Sequence, residues 1–560
     1  MTQAPPPIPS PRTALRRLFQ NVGGTLRDVV LVPFARRVPR EWVVLRLDRG
    51  LVEASTTSPW LEQYLQRPET LASALECLEY ARGDDRVHGV LLKLGRGAVG
   101  WAKASALARA VGQLREAGTQ VVVYAESTGN AGAWLGALAD QFWMAPEGRL
   151  DLLGVRVETP FLRRALEKLR IRPDVISAGR YKAAAETLER ESMSRPAREA
   201  LEVVVEQLYE ALVDGLATGR SQDPERAREW VDNGPYLAAQ AREAGLVDDL
   251  VYADELPVRL GALKRDDEEA DEEHEARLVS SATYLRVARP RFRWQPVLGR
   301  ASEIAVVPIQ GLIRSGTASP RGTPGLLKRI GEDENVCAVV LRIDSPGGDP
   351  LASDLIWRSV RKLSESKPVV ASLGDTAASG GYYVAMAANE IIAEPTTLTG
   401  SIGVIMAGLK FDGFLEDLGV SFDSVERGRH AGIYDPVQPR TEEEHALLRR
   451  QIELIYESFV GKAAEGRGMT EKQLNKVAQG RVWTGANAME RKLVDGLGGL
   501  DTALARAREL AGLGPDEGRV TYFSAQPPTL GRVFRPSPLE AAPFGLQGAQ
   551  LWCPIRVSLN

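Results

Sequence analysis

The chain has 560 residues, more than one hydrophobic core usually supports, so we expect two or more domains. Apolar residues make up 44% of it and charged residues 26%, the composition of an ordinary globular protein. A net charge of −4, with no compact basic stripe in the body of the chain, argues against nucleic-acid binding. Cys77, Cys337 and Cys553 form no paired CxxC motif, which argues against a zinc site, a redox pair and a disulfide framework.

Residues 1–40 form an Arg-rich N-terminal segment. Seven arginines between residues 12 and 40 stand against one acid, Asp28, with apolar residues interleaved. This pattern is typical of a basic amphipathic segment on an anionic membrane surface, and a flexible or dimer-packing arm fits it equally. No stretch reaches the roughly 20 apolar residues that a transmembrane helix needs. We therefore expect a cytoplasmic protein or peripheral membrane contact through residues 12–40.

The next segment, residues 41–262, reads as an α/β domain. An apolar strand at 42–47 is followed by a buried strand at 90–94, an amphipathic helix at 103–116 and a strand at 120–125. Strands that alternate with helices of this length indicate parallel βαβ units.

Residues 301–515 repeat the same order of elements. Strands are predicted at 304–309, 339–343 and 368–373, with an amphipathic helix at 352–365. Between the two units, residues 263–300 read as an acidic linker, because 266–275 is nearly all acidic. Residues 516–560 read as a tail, which is rich in Pro and Gly from about residue 526 and is expected to be poorly ordered.

The two units align at a constant offset of 249 residues over their central part. Gly154-Val155 corresponds to Gly403-Val404, and Gly179-Arg180 corresponds to Gly428-Arg429. The same offset aligns Ser379 with Asn130 and Lys182 with Ala431. The halves therefore differ at positions that bear on chemistry.

Ser379 follows a strand and precedes Gly380-Gly381 and an apolar helix. Its hydroxyl is expected at a helix N-terminus, where backbone N–H groups stabilise negative charge, although an isolated serine there is most often a helix cap. A serine nucleophile needs a base, and no histidine is well placed; the nearest in sequence pattern, His430, has no orienting acid at a recognisable spacing. A lysine can serve if burial lowers its pKa from about 10.4, which directs attention to Lys182.

The third signal is the loop Asp344-Ser-Pro-Gly-Gly348 after a buried strand. Consecutive glycines let the backbone approach a substrate carbonyl and present N–H donors, although alone this sequence is a tight turn. The second half thus carries a nucleophile and an oxyanion loop, whereas the first carries the lysine. Together they have the pattern of a duplicated Ser-Lys hydrolase whose copies have specialised.

With these motifs the chain resembles the signal peptide peptidase A family, in its long tandem-domain form, within the Clp protease/crotonase superfamily. The resemblance covers about residues 40–515. The matching stretches are Asp344–Gly348, Ala378–Tyr383, Thr397–Val404, Gly480–Gly485 and Gly179–Lys182.

The resemblance implies two tandem Clp protease/crotonase-like domains and a serine endopeptidase that cleaves apolar peptides such as cleaved signal peptides. It implies Ser379 as nucleophile, Lys182 as general base and Ser401 as the residue that orients the lysine. Gly348 and Gly380 would supply the oxyanion hole, and no metal or cofactor is implied.

The resemblance also bears on assembly and location. Family members are oligomers, so we expect a homo-oligomer, a tetramer. They are associated with the inner membrane and usually carry an N-terminal transmembrane anchor, which we do not find in this sequence. A crotonase-like acyl-CoA enzyme and a catalytically inactive scaffold on the same fold are the alternatives.

Overall fold

A computed structural model gives the fold of most of both halves of the chain. It describes residues 42–53, 69–96, 99–263, 275–288, 302–316, 322–515 and 517–523, with Val22, Ser319 and the backbone of 549–552. Most of the Arg-rich segment, of the acidic run and of the predicted tail lies outside the described residues. None of the described helices is long and apolar enough to cross a membrane.

The first half contains regular elements up to residue 288. Its strands are β1 (Trp42–Arg46), β2 (Leu51–Val52), β3 (Glu69–Thr70), β4 (Gly89–Leu94), β5 (Gln120–Gly129), β6 (Gln141–Asp151), β7 (Arg172–Ala178), β8 (Tyr236–Leu237), β9 (Asp249–Leu250) and β10 (Leu278–Ser280). Its helices are α1 (Leu71–Arg82), α2 (Trp101–Glu116), α3 (Asn130–Leu138), α4 (Arg163–Lys168), α5 (Glu186–Glu189), α6 (Arg195–Arg220), α7 (Pro224–Asp232), α8 (Ala238–Glu243), α9 (Leu256–Ala262) and α10 (Ser281–Ala288).

The second half begins its regular structure at residue 303. Its strands are β11 (Glu303–Gln310), β12 (Val336–Ser345), β13 (Gly347–Gly348), β14 (Val369–Ala378), β15 (Glu390–Ala393), β16 (Leu398–Gly400), β17 (Val404–Lys410), β18 (Val482–Thr484), β19 (Gly496–Leu497), β20 (Arg519–Tyr522) and β21 (Ala549–Trp552). Its helices are α11 (Thr323–Glu332), α12 (Pro350–Ser364), α13 (Gly380–Ala385), α14 (Asp412–Asp417), α15 (Glu442–Gly466), α16 (Glu471–Val477), α17 (Gly485–Glu490) and α18 (Leu500–Leu510).

The first half is organised around a sheet with the strand order β10-β1-β4-β5-β6-β8, in which β9 also pairs with β6. Its pairs from β10 to β6 are parallel. Val121 and Val123 of β5 pack into a core with α1, α2 and α6, whereas Val122 and Tyr124 face a smaller core with α9. Strands covered on both faces are nearly all apolar, as in other parallel sheets.

The second half repeats this arrangement with the strand order β18-β16-β14-β12-β11-β20. Off this path, β15 pairs with β14, and β19 pairs with β15. The pairs β11–β12, β12–β14 and β14–β16 are parallel. The prediction of two tandem α/β units is therefore confirmed.

A third, smaller sheet joins the two halves. It has the order β13-β21-β17-β7, and β7 of the first half pairs antiparallel with β17 of the second over seven residue pairs. Because β7 ends at Ala178, this ladder brings the following residues of the first half against the second.

The segment predicted as a linker contains regular structure. Leu278–Ser280 pairs parallel with β1, and Tyr284 and Leu285 of α10 are buried in the core of the first half. The apolar residues after the acidic run, such as Leu278, Val279 and Leu285, are the sequence signal for this structure. Residues 278–288 of the segment predicted as an acidic linker thus pack with the first half.

Candidate functional site

Ser379 lies between β14 and α13, with none of its surface exposed. Its backbone has φ 54° and ψ −114°, a conformation that residues with a Cβ rarely adopt. The Ser379 N–H donates to the carbonyl of Gly400 at 2.8 Å, which helps to hold this conformation. The strand β14 thus ends in a sharp turn, which places the Ser379 hydroxyl at the carboxyl end of that strand.

Lys182 follows β7 through a tight turn at Gly179, where φ is 113°. The Tyr181 N–H donates to the carbonyl of Gln479 at 2.7 Å. Gly480 packs so closely that a Cβ there would lie 2.6 Å from the backbone nitrogen of Lys182. A glycine at 480 is therefore required for Lys182, which is 5% exposed, to reach its position.

The Lys182 amino group joins the two halves at Ser379. Its Nζ lies 2.7 Å from Ser379 Oγ, 3.0 Å from Ser401 Oγ and 3.1 Å from the Ser401 carbonyl oxygen. Ser401 is 2% exposed, has φ 52°, and its N–H donates to the Arg481 carbonyl. Three of the five residues predicted from the sequence thus form one buried cluster.

The two predicted glycines lie next to each other beside Ser379. A Cβ on Gly380 would lie 3.1 Å from the backbone nitrogen of Gly348, which has φ 154°. The loop is held by Ser345 Oγ, which donates to the Gly311 carbonyl at 2.6 Å and accepts from the Gly347 N–H at 3.1 Å. All five predicted residues therefore meet at one place.

Two glycines of this loop, Gly347 and Gly348, form the short strand β13, which pairs with β21. Residues 549–552 run antiparallel to β13, with Gly347 opposite Trp552, and antiparallel to β17, with Ile405 opposite Gln550. The backbone beside Ser379 therefore accepts an extended peptide segment.

A cluster of buried and half-buried charged side chains lies beneath the loop. Lys103 Nζ contacts Asp375 and lies 3.3 Å from Asp344 and 3.3 Å from Glu53. Arg342 donates two hydrogen bonds to Glu53, at 2.8 and 2.9 Å. Lys103 and Glu53 belong to the first half and the other three residues to the second. The cluster therefore joins the halves at the ends of β12 and β14.

The charges of this cluster affect one another. Burial raises the pKa of Glu53, but the charges and hydrogen bonds of Arg342 and Lys103 outweigh it and leave that pKa below its usual value. Burial raises the pKa of Asp344, and Lys103 offsets this only in part. Among the described residues, Glu53, Asp344 and Asp375 are the acids close enough together to hold a metal ion. The Lys103 ammonium already contacts all three carboxylates.

Asp375 also caps a helix of the other half. Its Oδ1 accepts from the N–H groups of Ala102 and Lys103, at 3.0 and 3.2 Å, in the first turn of α2. The N-cap residue of α2 is Gly100, where a Cβ would lie 2.0 Å from an Asp375 oxygen. In the repeated helix α12, Asp349 caps its own helix. Gly100, which corresponds to Asp349 at the 249 offset, is the sequence signal that could have revealed this contact.

The corresponding positions of the two halves differ as the repeat predicts. Asn130 takes the place of Ser379; its side chain donates to the Gly154 carbonyl at 2.8 Å and accepts from the Leu153 N–H at 2.9 Å. Ala431, at the position of Lys182, is exposed. His430 lies 3.9 Å from Glu443 and from Glu444 and, within the described residues, makes no hydrogen bond to Ser379.

Comparison with known proteins finds one family twice along the chain. The model of "Peptidase family S49" matches residues 113–265 and 361–514. The chain is 34% identical over 461 residues to "Serine protease SPPA, chloroplastic" of Arabidopsis thaliana, covering 80% of this chain and 66% of that protein. It is 30% identical over 477 residues to "Protease 4" of Salmonella typhi, covering 83% of this chain and 75% of that protein.

Solved structures give a more distant likeness. The mutant form of "1510-N membrane-bound stomatin-specific protease" aligns at 17% identity over 40% of this chain and 98% of that chain, with a TM-score of 0.27. The family assignment rests on the family model and the curated relatives.

Proposed function

Because this chain belongs to peptidase family S49 and is a serine peptidase, we propose that Ser379 is its nucleophile and Lys182 its general base. The observation that supports this assignment is the 2.7 Å contact between Lys182 Nζ and Ser379 Oγ. Both side chains are buried, and burial disfavours the charged form of a lysine. A neutral lysine can accept the hydroxyl proton, which a protonated one cannot.

The proposed reaction has two steps. Lys182 Nζ takes the proton of Ser379 Oγ as that oxygen bonds to the substrate carbonyl carbon, and the lysine then gives the proton to the departing amine. A water deprotonated by Lys182 next attacks the acyl-serine, and the proton returns to Ser379. Ser401 accepts from Lys182 and directs it toward Ser379. The N–H groups of Gly348 and Gly380 donate to the oxyanion formed in each step.

The substrate class that we propose is apolar peptides such as cleaved signal peptides. An extended substrate would add to the edge of β13, the same edge that β21 occupies, through backbone hydrogen bonds. Buried apolar side chains flank this edge, among them Ile313, Ile405 and Met406. An apolar peptide matches that environment better than a charged one. The comparisons give no support to the acyl-CoA enzyme or the inactive scaffold.

The test measures cleavage of an apolar peptide by Ser379→Ala and Lys182→Ala. Each is expected to lower kcat on the order of 10⁴-fold or more, because nucleophile and base act as a unit. Lys168→Ala, which removes an exposed lysine of α4, is the matched control and should keep wild-type kcat. Near-normal cleavage by a folded Ser379→Ala or Lys182→Ala protein would overturn the assignment.

A further inference from the structure

Residues 479–481 lie between the turn that carries Lys182 and the turn that carries Ser401. Backbone hydrogen bonds join this segment to both turns. The Tyr181 N–H donates to the carbonyl of its first residue at 2.7 Å, and the Ser401 N–H donates to the carbonyl of its last residue at 2.8 Å. The N–H of its middle residue donates to the Ile402 carbonyl at 2.7 Å. A shift of this segment would therefore move Lys182 relative to Ser401.

The side chain of Arg481, the last residue of the segment, contacts the neighbour of Lys182 in the chain. Its Cζ lies 5.0 Å from the centre of the Tyr181 ring, and its Nη1 lies 3.5 Å from the Tyr181 hydroxyl oxygen. The same Nη1 donates to the Glu199 carboxylate of α6 at 3.0 Å, and Cζ lies 4.4 Å from the centre of the Trp483 ring. The guanidinium thus contacts two aromatic rings and is held by a carboxylate.

The repeat gives Arg481 a counterpart in the first half. The strands β18 and β8 correspond, because β18 pairs antiparallel with β16 as β8 pairs antiparallel with β6. The registers of these two pairs align Trp483 with Tyr236. Two residues earlier along the chain, Arg481 corresponds to Gly234.

The first half has no room for a side chain at this position. A Cβ on Gly234 would lie 1.9 Å from the carbonyl oxygen of Leu152. At the 249 offset, Leu152 corresponds to Ser401. The arginine and the serine that orients the lysine are therefore both present in the half that holds Ser379, and both are replaced in the other half. Comparison of the halves thus identifies Arg481 in the same way as it identifies Ser379.

We propose that Arg481 is a positioning residue for the proposed base, and that by contacting Tyr181 it holds the turn that brings Lys182 Nζ to Ser379. The inference rests on the proposed function, since it requires Lys182 to be the base. A planar guanidinium can stack on an aromatic ring and bond a carboxylate at the same time, which an ammonium does less well. Because the Tyr181 backbone is also bonded to the 479–481 segment, its ring and its main chain are both held. The next Cα along the chain is that of Lys182.

The test compares Arg481→Met with Arg491→Met in the cleavage of an apolar peptide. Arg481→Met keeps an apolar stem and removes the guanidinium. A misplacement of reacting groups by about 1 Å can cost about 100-fold, so kcat should fall by about 10- to 100-fold with KM within about twofold. Arg491 also contacts the Trp483 ring, at 4.0 Å, and has no described contact with Tyr181. Arg491→Met is therefore the matched control and should keep wild-type kcat.

A double-mutant cycle shows whether Arg481 acts through Tyr181. Tyr181→Leu removes the ring and should lower kcat by a similar factor. Arg481→Met/Tyr181→Leu should then be no less active than the weaker single variant, because both changes remove one contact. Tyr181→Phe keeps the ring and should lose far less activity than Tyr181→Leu. Arg481→Lys keeps the charge without the planar stack and should recover only part of kcat.

A second readout separates positioning from a general loss of stability. The rate at which a small serine-reactive phosphonate labels Ser379 reports the reactivity of that hydroxyl without peptide docking. Labelling of folded Arg481→Met should be slowed by about the same factor as kcat. If Arg481→Met does not fold, Arg481→Lys and Tyr181→Leu carry the same comparison.

Two results would overturn the inference. One is a folded Arg481→Met protein with kcat and labelling near those of the wild type. The other is a double variant in which the losses from Arg481→Met and Tyr181→Leu add in full. Lys182→Ala is measured in parallel: if it still cleaves the peptide, the catalytic assignment itself fails. An inactive Lys182→Ala beside an active Arg481→Met contradicts the positioning role alone.

Discussion

Two serines of the site adopt backbone conformations that serine rarely takes. Ser379 has φ 54° and Ser401 has φ 52°, and each such residue costs about 1–3 kcal/mol. The chain holds both through hydrogen bonds from their own N–H groups, to Gly400 and to Arg481. Sequence comparison of the two halves identified Ser379 and Lys182, because each differs from its repeat partner. Ser401 came only from the family resemblance, since nothing local marks a serine that orients a lysine.

At this scale we predict the effect of Ser401→Ala. Lys182 loses an acceptor at 3.0 Å but keeps Ser379 and the Ser401 carbonyl. A buried donor left without its acceptor costs about 1–3 kcal/mol, so kcat should fall by about 5- to 100-fold with KM nearly unchanged. Steady-state kinetics on an apolar peptide measure this. Ser359→Ala, whose hydroxyl bonds its own helix, is the control, and an unchanged kcat for Ser401→Ala would remove the orienting role.

At the scale of elements, buried apolar runs predicted the strands well and long-range partners poorly. The cores of β4, β12 and β14 follow from their sequences, because strands covered on both faces must be apolar. The β7–β17 ladder does not, since neither strand carries a signal of its partner. The charged cluster could not be predicted from the sequence either, because Glu53, Lys103 and Asp375 come from distant parts of the chain.

Asp375 ties helix α2 of the first half to the strand that ends at Ser379, and we predict that this contact positions the nucleophile. In Gly100→Asp/Asp375→Ala, α2 receives its own cap, as α12 has in Asp349, but loses the tie to β14. Helix stability should be retained. A misplacement of reacting groups by about 1 Å can cost about 100-fold, so kcat should fall by up to that factor while KM stays within about twofold.

The control for this prediction is Arg109→Met, which also removes a contact of α2 with the second half, to Glu394 and Asp501, but away from the loop. It should lower the melting temperature and leave kcat near that of the wild type. If the Gly100→Asp/Asp375→Ala protein is folded and has wild-type kcat, the contact serves stability alone.

At the scale of the whole molecule, the chain is a tandem repeat whose halves supply different parts of one site. Composition and the order of strands and helices were enough to predict two α/β units. The offset between them was enough to find Ser379 and Lys182. Sequence alone left open whether these residues meet within one chain. In the single chain, the ladder between β7 and β17 brings Lys182 to Ser379, which supports a site formed within one chain.

The central claim is that each chain forms its peptidase site from its own two halves. Co-expression of Ser379→Ala and Lys182→Ala chains, followed by purification of mixed assemblies, tests it most directly through cleavage of an apolar peptide. The account predicts that the mixed assembly is as inactive as either variant alone, because no chain holds both residues. Recovery of a substantial fraction of wild-type activity would show that Lys182 of one chain serves Ser379 of another, and would contradict the account.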